Sequence, residues 1–144
     1  MKQKLILVGS AVAFKKVKGK TVWFIVRQKE DSPWELPRTN ARRGESSVRA
    51  SIRMMGEQGG MTAKVLEEVG RGGGAVMIGG KTIPQRQIYY LVLIKEGNEI
   101  LGFVDTDWLE YAKAVRKLES KKDIAMLKAA KDLLKDIEKK KKKK

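Results

Sequence analysis

WELPRTNARRGESSVRASIRMMGEQGGM, residues 34–61, decides how the rest of the chain is read. Trp34, Leu36 and Pro37 close an apolar run, because proline has no amide proton and cannot extend a β-ladder. The segment Arg38 to Gly44 holds Arg38, Arg42 and Arg43 and little that would be buried, which predicts a solvated loop. A helix is expected from Ser46 or Ser47, since either hydroxyl can accept from the free amides of a first turn. Val48, Ile52 and Met55 recur at helical spacing and predict its buried stripe. Gly59 and Gly60 are expected to end it, because glycine enters the left-handed conformation at little cost.

In this register the stretch resembles the signature of the Nudix hydrolases: Gly, five residues, Glu, seven residues, then Arg-Glu-U-x-Glu-Glu-x-Gly-U, with U a bulky aliphatic. Glu45, Arg53, Met55, Glu57, Gly60 and Met61 match. Thr39 stands in place of the first glycine, and Met54 and Gln58 stand in place of two glutamates. WELPR also resembles the Trp-x-Leu-Pro-Lys that leads into the Nudix box. The resemblance implies an α/β/α sandwich of Nudix type, with a mixed sheet between helices, and covers most of Leu5 to Leu134.

The resemblance also implies a chemistry, in which helix carboxylates hold magnesium and the ion bridges a diphosphate and helps activate water. Positions 54, 57 and 58 are three and four residues apart and share one helix face. Here that face offers Met54, Glu57 and Gln58. A thioether is a poor magnesium ligand and an amide oxygen carries no charge, so two negative charges are missing from the site. Two readings of Glu57 remain. It holds a hydrated magnesium ion weakly, helped by Glu45, so that these two would be the catalytic and metal residues. Or it is an exposed helix carboxylate beside a packed Met54, which is the preferred reading.

Working outward, Leu5 to Val17 and Thr21 to Arg27 predict two strands joined at Lys18-Gly19-Lys20, the second rich in β-branched and aromatic residues. The start, Met1 to Phe14, superficially resembles a signal peptide, but its apolar run is short and no cleavage pattern follows, so a first strand is expected. Beyond the box, Met61 to Val69 predicts a strand. Gly70 to Gly80 predicts a loose hairpin with at most a short strand from Ala75 to Ile78. It lacks the Lys-Ser/Thr ending of a phosphate-binding P-loop. Gln85 to Lys95 is the most apolar strand and is expected centrally. Tyr89 and Tyr90 should point to opposite faces, one into the core and one free to flank a base. A turn at Lys95 to Asn98 and a strand from Ile100 to Val104 follow. Asp107 with Glu110 predicts a capped helix from Trp108 to Leu118, and Ser120 with Asp123 a final helix from Lys121 to Glu138. Ile124, Leu127, Ala130, Leu134 and Ile137 give that helix its apolar stripe.

The 144 residues suit one domain, 1–138, with a lysine tail at 139–144. The chain has no cysteine and no histidine, which excludes disulfides, thiolate metal sites and histidine acid–base chemistry. No stretch is long enough to span a membrane, and an intracellular, cytoplasmic location is expected.

Net charge is +15, of which the six terminal lysines carry six, leaving +9 elsewhere. That surplus predicts polyanion partners: nucleic acid, a ribonucleoprotein, or the phosphates of a nucleotide. Lys139, Lys140, Lys141, Lys142, Lys143 and Lys144 are expected to bind phosphate backbones without reading sequence. Arg38, Arg42, Arg43 and Arg53, with Arg49 nearby, are the candidate phosphate-binding residues of an electropositive mouth beside the box. The leading expectation is a catalytically inactive Nudix-like protein that binds nucleic acid and needs no cofactor. One alternative is a magnesium-dependent hydrolase of diphosphate-linked nucleotide derivatives, drawing a further carboxylate such as Glu99. The other is a nucleotide-binding sensor or protein-interaction module.

Overall fold

Strand β1 (Ile6–Val17) is the axis of the sheet. Its far half pairs antiparallel with β2 (Lys20–Arg27), and its near half with the three-residue β3 (Arg38–Asn40). On its other edge lies β5 (Lys81–Glu96), parallel, in register from Ile6 opposite Gln85 to Phe14 opposite Leu93. Outside β5 runs β4 (Thr62–Ile78), antiparallel, and outside β2 runs β6 (Asp105–Leu109), also antiparallel. The order is β4-β5-β1-β2-β6, so one parallel pair makes the sheet mixed. This computed structural model describes residues 5–57, 62–96 and 103–142.

The central strands are apolar on both faces, as strands covered on both sides must be. On one face Ala11, Phe24, Val26, Tyr90 and Val92 pack with Met54 and Met55 of α1 (Ser47–Glu57). On the other, Val12, Phe14, Trp23, Ile25 and Leu91 pack under α2 (Tyr111–Lys117) and α3 (Lys121–Lys142). Three layers result, the α/β/α arrangement expected. No helix among the described residues is long and apolar enough to cross a membrane.

Several expectations need correction. The glycine-rich segment 70–80 is not a loose hairpin: β4 runs unbroken through it, and only Gly79 and Gly80 turn, both at positive φ (57° and 78°). Pairing with β5 imposes the strand, and the glycines make room for α3. A Cβ at Gly70 would press on the Met126 side chain, and one at Gly72 on that of Lys122. Part of the supposed loop, Arg38–Asn40, is a strand. The helix expected from Trp108 begins only at Tyr111, because Asp105–Leu109 is taken into the sheet beside β2. Asp107 caps nothing and pairs with Lys117 at 3.1 Å, and Glu110 makes no side-chain cap bond. The final helix continues past Glu138 to Lys142. The glycine stop at 59–60 lies outside the described residues, as do 97–98 of the expected turn and 100–102 of the expected strand. Lys95 and Glu96 belong to β5, and Phe103 and Val104 form a bend before β6 and not a strand.

The phase of α1 also differs. Its buried residues are Ser47, Ala50, Ser51, Met54 and Met55, whereas Ile52 is 42% exposed and Val48 only partly buried. Small residues on the inner face let the helix descend onto β1 until backbones nearly touch. At Gly9 a Cβ would collide with the Ser47 carbonyl and the Ser51 hydroxyl. Tyr89 and Tyr90 do face opposite ways, but both are buried, so neither is free to flank a base. The Tyr90 hydroxyl hydrogen-bonds the Ser47 hydroxyl at 2.6 Å.

One buried carboxylate ties the lead-in to the last helix. The Asp123 amide donates to Ser120 Oγ (3.2 Å), the cap expected. The Asp123 carboxylate turns inward and accepts from the Leu36 amide and the Tyr89 hydroxyl, each at 3.1 Å. Burial raises the pKa of both Asp123 and Tyr89.

Candidate functional site

The loop after β3 folds back on itself before α1 starts. The Arg42 amide donates to Glu45 Oε1 at 2.8 Å, and the Glu45 amide returns a bond to the Arg42 carbonyl. From the second turn of α1, Arg53 reaches back to the same carboxylate, Nε to Oε2 at 2.9 Å and Nη2 to Oε1 at 3.0 Å. Arg53 Nη2 also donates to the Asn40 carbonyl at 3.1 Å. The pair is largely enclosed, with side chains 18% and 16% exposed. The Arg53 bonds first, then the Arg42 amide, hold the Glu45 carboxyl down to about 2.

Glu57 stands at the end of α1 with its side chain 55% exposed. Arg42 Nη2 approaches it at 3.3 Å and Arg53 Nη1 at 3.7 Å. Met54 is fully buried in the core under α1 and does not share the exposed face of Glu57. Arg38 lies 3.7 Å from Glu35, while Arg43 and Arg49 are exposed. The electropositive mouth thus has two of its four candidates, Arg42 and Arg53, drawn onto the box carboxylates.

These residues do not fit a magnesium ion. Magnesium is held by one or two carboxylates together with waters and substrate phosphates, and those carboxylates must present free lone pairs to it. The Glu45 oxygens already accept three N–H donors, Glu57 is flanked by two guanidiniums, and the third position is a buried thioether. No group of three or more acidic side chains able to hold a metal occurs among the described residues. Gln58, Glu99, Gly60 and Met61 lie outside those residues, as do Lys143 and Lys144. Lys139, Lys140 and Lys141 are exposed on the last turns of α3.

Beside the box loop opens a cleft of about 620 Å³. Arg38, Thr39 and Asn40 form one wall, Val76 and Ile78 of β4 another, and Ile6 and Val8 part of the floor. Gln28 and Gln85 add two amides to that of Asn40. One apolar wall facing a polar one, with a few amides and one cation, suits a flat heteroaromatic carrying phosphate. Nothing in the sequence singles out Gln28, Asn40 or Gln85, because each comes from a different segment and only the sheet brings them together.

No protein-family model matches the chain, and no curated protein is detectably similar to it in sequence. Solved structures do match. An Ap4A hydrolase from C. elegans, in a binary complex, superposes with a TM-score of 0.75 at 17% identity, over 91% of this chain and 98% of that one. The NUDIX domain of Shewanella oneidensis NrtR, complexed with ADP ribose, gives 0.73 at 16% identity, over 92% and 90%. The E. coli dihydroneopterin triphosphate pyrophosphohydrolase gives 0.66 at 9% identity, over 84% and 91%. At such identities the likeness is one of fold, and the fold is that of the Nudix hydrolases.

Proposed function

We propose that this Nudix-fold chain binds nucleic acid, free or within a ribonucleoprotein, through phosphate contacts, and does not hydrolyse diphosphates. The observation that carries the second half is the pairing of Glu45 and Glu57 with Arg42 and Arg53. A metal site needs those carboxylates free, and here each is engaged by cations of the same segment. The first half is supported by the +15 charge of the chain. A protein with such an excess attracts polyanions and binds them in a strongly salt-dependent way.

The test is release of phosphate or nucleotide from nucleoside diphosphate derivatives and dinucleoside polyphosphates with magnesium or manganese. No turnover is expected. Robust turnover lost in Glu57→Gln would instead establish the competing reading, a metal-dependent hydrolase. Binding of labelled oligonucleotides across a salt series tests the other half.

A second reading is favoured by the cleft with its three amides and Arg38. A nucleotide held there without turnover would make the chain a sensor. Nucleotides that raise its melting temperature, and lose that effect in Gln85→Ala, would support this second role.

A further inference from the structure

We infer that nucleic acid docks on the α2–α3 side of the sheet, along the flank of α3 that carries Lys128, Lys131 and Lys135, and not at the box loop. This rests on the nucleic-acid-binding reading and says which surface carries it. At 3.6 residues per turn these three lysines fall within about 60° of one another on α3, with Asp132, one turn after Lys128, at the edge of the same flank and Asp136 further round. The helix backbone spaces these three lysines along about 10 Å.

Lys128 stands one turn before Lys131, and Lys131 with Lys135 walls a groove of about 570 Å³, floored by Trp23 and Leu134 and bounded opposite by Tyr111 and Ala112 of α2. Two carboxylates also line it, and each is matched by a lysine of the β1–β2 hairpin. Glu138 pairs with Lys16 at 3.3 Å, and Glu110 with Lys20 at 3.9 Å. No salt bridge among the described residues uses Lys128, Lys131 or Lys135. Arg42 and Arg53 of the box, by contrast, lie against carboxylates. A phosphate drawn to Arg42 or Arg53 must compete with a glutamate, whereas among the described residues Lys128 and Lys135 have no ion pair to break and Lys131 gives up only its contact with the Tyr111 ring.

Two further features favour nucleic acid over an anionic lipid surface. A helix that lies on a bilayer needs an apolar face free to enter it. The apolar stripe of α3 is spent on the sheet, and no large exposed apolar side chain among the described residues lies on α2 or α3. The groove also offers an aromatic ring. Lys131 Nζ sits 4.1 Å from the centre of the Tyr111 ring, so a lysine drawn to a phosphate would uncover a surface on which a base can stack.

The experiment measures binding of a short, fluorescein-labelled, mixed-sequence single strand to the full chain by anisotropy across a salt series. Lys128→Gln, Lys131→Gln and Lys135→Gln combined should weaken binding by roughly tenfold or more at moderate salt. The slope against salt should become shallower by about 2, at ~0.7 for each phosphate no longer neutralised. The matching triple arginine variant should retain binding, and Arg42→Ala with Arg43→Ala should change it little. An unaltered thermal melt of the glutamine variant separates weakened docking from a damaged fold. Wild-type binding that the glutamine variant keeps, or that vanishes on removing only Lys139 to Lys144, overturns this surface while leaving nucleic-acid binding intact. Absence of wild-type binding, or binding only to phosphatidylserine vesicles, overturns both.

Discussion

The box segment and the last helix are both dense in cations and use them in opposite ways. In the box, Arg53 and Arg42 spend their donors on Glu45, Glu57 and the Asn40 carbonyl, closing the loop onto α1. In α3, three lysines on one flank enter no salt bridge among the described residues, and the apolar stripe behind them anchors the helix. The first arrangement converts charge into local structure. The second leaves charge available to a partner. On the proposed reading the net charge attracts a polyanion, and these unpaired lysines are where it docks.

The difference is sharpest in stability. Met54→Ala should destabilise the protein by about 2–5 kcal/mol, because the side chain is fully buried under α1. Lys128→Ala should stay within about 0.5 kcal/mol, as exposed positions away from special features do. Chemical denaturation of both variants checks this, and equal losses would erase the contrast. A smaller effect is expected at Glu45. Its folded pKa is depressed to about 2, so its stabilisation is present above the ordinary glutamate range and is lost as pH falls through that range toward about 2. Melting temperatures of the wild type should drop over that window, and Glu45→Gln should flatten the drop. An unchanged profile would mean that the pair does not hold the loop. The smallest effect belongs to Ile52, where replacement by alanine should cost within about 0.5 kcal/mol despite its apolar character, since the residue lies at the surface, 42% exposed. Denaturation midpoints of Ile52→Ala and the wild type check it.

Ile52 also shows what sequence pattern can and cannot reveal. The hairpin of β1 and β2, the apolar β5 and the stripe of α3 were legible because their large apolar residues recur at the period of their element. The phase of α1 was not, because its inner face is built from Ala50, Ser51 and Ser47, whose smallness is what seats the helix. A search for large apolar residues passes over such a face and settles on Ile52. The glycines of β4 were misleading for a related reason. Glycine disfavours strands locally, but here β5 supplies the ladder and α3 needs the space. At the candidate site, Glu45, Arg53 and Glu57 were legible only through the resemblance to the Nudix signature. Their mutual pairing was not, since it depends on how the 40–45 loop turns back over the helix. The amides of the cleft were invisible, being gathered by the fold from distant segments.

The close approach at Gly9 has a consequence for redesign. Because strand and helix meet there almost backbone to backbone, the spacing between α1 and the sheet cannot be tuned by exchanging side chains, and any engineered box must accept the helix where it lies. Position 57 already faces solvent and can be recruited by removing the arginines that hold it. Position 54 cannot be recruited in this way: a glutamate placed there would be driven into a layer that has no room to hydrate it. Any further carboxylates designed into the box would have to come from outside the inner face of α1, with the helix serving as a fixed platform.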